Sequence, residues 1–83
     1  MLDHFSVSSA TDGGTRCRIW VEPARRSCAV TITVDGRIVR QADETDPTVR
    51  SYTHAEWASV EHWEKLAHEL ARQFSPFWNG ATV

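Results

Sequence analysis

The stretch CAVTITVDGRIVRQA, residues 28–42, constrains the fold more than any other part of the chain. Cys28, Val30, Ile32 and Val34 alternate with Ala29, Thr31 and Thr33, which is the period of a strand with one buried face. Asp35-Gly36 follows, a pair that accepts the positive φ angles of a type I′ turn, and RIVRQA returns as the next strand. A two-residue loop then predicts Ile32 opposite Val39 and Thr31 opposite Arg40.

The preceding run RCRIWVE, residues 16–22, has the same alternation, with Cys17, Ile19 and Val21 on one side and Arg16, Arg18 and Trp20 on the other. Pro23 ends it, because proline cannot donate to a ladder, and ARRS forms the loop. Pairing Val21 with Cys28 keeps both inner faces apolar. The other face then carries Arg16, Arg18, Trp20, Thr31, Thr33, Ile38 and Arg40. Upstream, TDGGT supplies a glycine turn and LDHFSVSSA alternates well enough to add a short edge strand.

Beyond residue 42 the period changes. DETDPTVRS reads as an acidic connector, 43–52, in which Pro47 blocks a ladder bond and TVRSY is a candidate short strand. Thr53 and Glu56 have the spacing of a capping box, with Tyr52 and Trp57 at the staple positions. Trp57, Val60, Trp63, Leu66, Ala67, Leu70, Ala71 and Phe74 then recur at helical spacing. They predict one helix over about 54–74, roughly 30 Å long. Ser75-Pro76 stops it, leaving a tail, 75–83, with Phe77 and Trp78. The expected fold is α+β: a single domain in which an antiparallel three- to four-stranded meander, about 3–42, packs against one long C-terminal helix.

At 83 residues such a domain buries only about 60–65% of its unfolded surface, so a deep enclosed active site is not expected. No apolar run approaches the roughly 20 residues of a membrane span, and Met1–Ala10 lacks the form of a signal peptide; the chain reads as soluble, unprocessed and cytoplasmic. Cys17 and Cys28 fall on the inner face, opposite Ile32 and Val21 and about 13 Å apart along the strands. A disulfide needs Cα atoms within about 7 Å, so two free thiols are expected.

Little catalytic chemistry is legible. His68-Glu69 is followed four residues after the histidine by Arg72, where a zinc helix would place its second imidazole, and a guanidinium offers a metal no lone pair. His54, His62 and His68 are spaced too far around a helix to share an ion. The two cysteines lack the open, electropositive setting of a nucleophile. Neither DGGT nor DGR is a phosphate-cradling loop, and no acid/base pair stands out. No cofactor, metal or enzymatic activity is expected.

Charge offers a different lead. The net charge is −2, but residues 1–40 carry +2 and residues 41–83 carry −4. Arg16, Arg18 and Arg40 around Trp20 form a basic, aromatic sheet face suited to single-stranded nucleic acid, arginines on phosphates and indole on a base. Asp43, Glu44 and Asp46 with the helix face of Glu61, Glu64 and Glu69 form an acidic counterpart suited to an arginine-lined groove on a protein partner, and Trp78 is a further candidate anchor. Open sheet edges also make a homodimer plausible.

In architecture, residues 16–74, with RCRIWVE, CAVTITVDGRIVRQADETDP and THAEWASVEHWEKLAHEL, resemble the small phage-encoded inhibitors known as type I anti-CRISPR proteins, several of which combine a hairpin sheet with helix at this size. The resemblance implies stoichiometric occupation of a nucleic-acid-binding or docking surface on a host nucleoprotein complex, in the host cytoplasm. No binding residue is carried over from it. The first expectation is a non-enzymatic inhibitor or adaptor, and the alternative is a small single-stranded nucleic-acid-binding domain.

Overall fold

The computed structural model describes residues 3–53 and 57–74. Four antiparallel strands, β1 (Phe5–Ala10), β2 (Thr15–Glu22), β3 (Ser27–Val34) and β4 (Arg37–Asp43), form one sheet in the order β1-β2-β3-β4. Among the described residues two helices follow, α1 (Pro47–Thr53) and α2 (Val60–Gln73). The expected α+β meander with a C-terminal helix is the fold observed, and LDHFSVSSA contributes the fourth strand.

The alternation in β2 decides the layering. Thr15, Cys17, Ile19 and Val21 are buried, and the alternating Arg16, Arg18 and Trp20 are exposed. Pairing carries that choice across the sheet. Val7, Ile19 and Val30 share one inner row, and Val21 faces Cys28 as the inner-face argument requires. Trp63, Leu66, Ala67, Leu70 and Ala71 of α2 close over this face, with α2 seated on β1 and β2. Val49 of α1 completes the same core. Cys17 and Cys28 are both buried and free, and loss of water around each pushes its thiol up to about 12, with Glu44, Asp43 and Asp46 adding to the effect at Cys28.

Asp35 (φ 51°) and Gly36 (φ 83°) form the expected turn between β3 and β4. The β1–β2 turn leans against it. Gly14, at φ 85°, accepts the Asp35 N–H through its carbonyl at 3.0 Å, and a Cβ added at Gly14 would collide with the Asp35 carboxylate.

Two expectations need correction. The register Ile32–Val39 and Thr31–Arg40 does not form: a bulge between Ile32 and Thr33 places Ile32 opposite Arg40, Thr31 opposite Gln41 and Val30 opposite Ala42. The physical reason is visible in what each register buries. Continued pairing from the turn would set Gln41 against buried Val30, whereas one extra residue in β4 substitutes Ala42 and turns Gln41 outward.

The single helix over 54–74 is the second correction. Pro47–Thr53, expected as connector or strand, is itself helical, and Thr53 is its last residue rather than the cap of a longer helix. Asp46 caps it, accepting the N–H groups of Thr48 (2.9 Å) and Val49 (3.4 Å), with Pro47 at the first position, where its missing N–H costs nothing. The second helix starts at Val60, with Ser59 accepting the His62 N–H at 3.3 Å. Trp57 lies before this cap. Its carbonyl accepts from Trp63 Nε1 at 3.0 Å and its ring sits 5.1 Å from the Trp63 ring, so it keeps a helix-like spacing to Val60 and Trp63 without being helical. The Glu56 half of the proposed box and the tail with Trp78 lie outside the described residues.

Candidate interaction face

Among the described residues, neither helix packs on the outer face of the sheet. Its rows follow from the pairing. Ala10, Arg16, Thr33 and Ile38 form one; Ser8, Arg18, Thr31 and Gln41 the next; Ser6, Trp20, Ala29 and Asp43 the third. The strand alternation that buries Cys17 and Ile19 therefore lines up Arg16, Arg18 and Trp20 along β2. Trp20 is 44% exposed and Ile38 61% exposed, so the face carries two large apolar groups beside two arginines. His4 stacks on the Trp20 indole, with ring centroids 4.4 Å apart and planes 20° from parallel.

Arg40 does not belong to this face. The bulge turns it to the helix side, opposite Ile32, where its guanidinium donates to Asp46 Oδ2 at 2.6 Å and lies 5.6 Å from the centre of the Phe74 ring. There it sits at a cleft of about 140 Å³ lined by Val30, Ile32, Ala42, Val49 and Leu70. The outer face thus has two of the three expected arginines, and Asp43 shares the Trp20 row.

The acidic candidates divide in two. Asp43, Glu44 and Asp46 hold the chain where it leaves the sheet. Asp43 Oδ1 accepts from the N–H (2.9 Å) and hydroxyl (2.5 Å) of Thr45, and these bonds hold its carboxyl below the usual range. Glu44 Oε1 accepts the Cys28 N–H at 2.9 Å, one residue past the last β3–β4 pair, so a side chain continues the ladder. At Asp46, desolvation favours the neutral acid but is outweighed by the bonds from Arg40, Val49 and Thr48 and by the Arg40 charge, and the net shift is downward. All three therefore accept hydrogen bonds within the fold.

Glu61 and Glu64 are exposed on α2, on the side of the sheet away from Trp20. Glu61 also lies in the first turn, where a negative charge suits the helix dipole. Arg72, the residue that spoils the zinc pattern, is ion-paired to Glu69. Among the described residues no group of three or more His, Cys, Asp or Glu side chains is placed to hold a metal ion, and no helix is long and apolar enough to cross a membrane.

Of the candidates, the fold brings Arg16, Arg18 and Trp20 together, separates them from Arg40, and sets Glu61 and Glu64 on the opposite layer. Two residues of this face were less evident in sequence. Ile38 keeps its predicted side but is far more exposed than an isoleucine needs to be, and His4 could be found only by following the β1–β2 pairing back to the start of β1. No family model, no curated protein and no solved structure matches the chain.

Proposed function

We propose that this chain is a non-enzymatic interaction protein, a stoichiometric inhibitor or adaptor that docks through the outer face of its sheet on a larger nucleic-acid-binding protein complex, as the inhibitor class it resembles would do. The supporting observation is the exposure of Trp20 and Ile38 on a rigid sheet face, flanked by Arg16 and Arg18. Tryptophan and arginine are the side chains that most often dominate protein interfaces, because each buries a large area with few torsions to fix.

A second reading, single-stranded nucleic-acid binding on the same face, is favoured by the His4–Trp20 stack, in which a flat ring already lies on the indole as a base would. Charge supports it less. With Arg40 paired to Asp46 on the far side, only Arg16 and Arg18 remain for phosphates, Asp43 shares their face, and the chain is net negative.

The two readings separate in one experiment. Tagged protein is used to capture partners from nuclease-treated host lysate, and in parallel is titrated with mixed oligonucleotides at low and moderate salt. Docking on protein predicts a captured species lost with Trp20→Ala and Arg18→Ala, retained with Glu64→Ala, and no oligonucleotide binding. Salt-sensitive oligonucleotide binding that disappears in Arg18→Ala, with no protein captured, would replace the first reading with the second.

A further inference from the structure

The two edges of the sheet are built differently. β4 carries Arg37 and Arg40 and is bent by the bulge, devices that discourage a second sheet from adding to an edge. β1, FSVSSA, has no charge, no proline and no bulge along its six residues, and among the described residues no strand pairs with its outer side. Its outward backbone groups are a regular template.

We propose that β1 is the contact of a two-fold homodimer in which two copies pair antiparallel through β1 and join their sheets into one of eight strands. The geometry of α2 supports a second copy of this chain as the occupant. Strands lie about 4.8 Å apart, so a two-fold axis at the outer edge of β1 leaves each α2, seated over β1 and β2, roughly 5 Å from the axis. The two helices then run side by side at about 8–10 Å, the normal distance of helix packing.

Charge fits the same arrangement. His68 Nδ1 lies 3.3 Å from Ser9 Oγ, which fixes the flank of α2 that faces the β1 edge and, allowing for the different rise of helix and strand, sets Leu66 near the level of Ser8. Glu61, Glu64, His68 and Arg72 fall within about 80° of one another on that flank. A two-fold axis at Ser8 puts Ser8 opposite Ser8, Val7 opposite Ser9 and Ser6 opposite Ala10. The helices then run antiparallel about Leu66, directing Glu61 of one copy toward Arg72 of the other and Glu64 toward His68. Glu61 of each copy thus reaches the guanidinium that its mate's Arg72 already shares with Glu69, adding a second carboxylate to that group, and symmetry makes the contact twice.

The outer faces of the two copies become one continuous surface, with both Arg16–Arg18–Trp20 rows on the same side. The dimer does not depend on the docking function and is tested without a partner. Sedimentation equilibrium of the full chain over the micromolar range is expected to give twice the 9.4 kDa chain mass. Ser8→Lys, an exposed outer-face position at the axis, is expected to give the monomer mass with unchanged circular dichroism and melting temperature. Glu61→Arg is expected to weaken the dimer about tenfold, and adding Arg72→Glu to restore most of that loss. A wild-type monomer overturns the proposal, as does a dimer indifferent to Ser8→Lys or to Glu61→Arg. A dimer dissociated instead by Ile38→Lys would overturn it by moving the contact toward β4.

Discussion

Asp46 joins two parts of the fold. It caps α1 through two backbone N–H groups and holds Arg40 on the helix side of the sheet. Replacing it with alanine is expected to cost about 1–2 kcal/mol, read by urea unfolding, since a lost cap and an orphaned arginine act together. Its pKa also fixes the sign of an acid effect. The folded value is depressed, so its contribution is present above the unfolded value near about 4 and is lost as pH falls through the folded one. Asp46→Asn should therefore flatten the loss of stability on acidification below about pH 4 relative to wild type. Gly14 is a second residue-scale test. Gly14→Ala forces a side chain into a left-handed backbone and into Asp35, and a melting-temperature decrease equivalent to about 1–3 kcal/mol is expected.

At the scale of elements, the bulge in β4 makes a prediction that the unbroken register would contradict. Val39 is 51% exposed, so Val39→Lys should change stability by no more than about 0.5 kcal/mol in chemical denaturation. Were Val39 opposite Ile32 on the buried face, the same change would bury an unpaired ammonium and unfold the domain. The start of α2 gives a parallel test: Ser59→Ala should cost about 1 kcal/mol through the lost bond to His62 N–H.

For the whole molecule, stability rests on a thin core closed by α2. Trp63 is wholly buried against the sheet side of the domain, and its indole also fixes Trp57 through a hydrogen bond. Trp63→Ala is expected to cost about 3–5 kcal/mol, a large part of what a domain this small possesses, and to leave a partly unfolded population by circular dichroism at room temperature. The two thiols report the same global event. Both pKa values are raised, so their contribution to stability is complete below the ordinary thiol range and is lost as pH rises through about 9 toward 12. Iodoacetamide at neutral pH should accordingly label Cys17 and Cys28 only at the rate of opening, and promptly once urea unfolds the chain.

The sequence by itself determined the features whose cause is local. Period-two alternation with β-branched residues set β2 and β3, Asp35-Gly36 set their partner's return, and the spacing of Trp63, Leu66, Ala67 and Leu70 set the buried stripe of α2. The same alternation put Arg16, Arg18 and Trp20 on one face. Local chemistry also contained two signals that periodicity overrode: Asp46-Pro47 as the start of a helix, and Ser59 as a cap within an apparently continuous stripe.

Only the tertiary structure decided the bulge and, through it, the side on which Arg40 lies. A hairpin turn fixes register near itself, but whether Gln41 or Ala42 meets Val30 depends on burial beneath α1 and α2, which lie outside the hairpin. The roles of Glu44 and Asp46 were likewise hidden, because a carboxylate that completes a ladder and one that caps a short helix look alike in an acidic run until the N–H groups they serve are in place. Sequence patterns encode which side of an element avoids water; which polar groups find one another across elements is settled by packing.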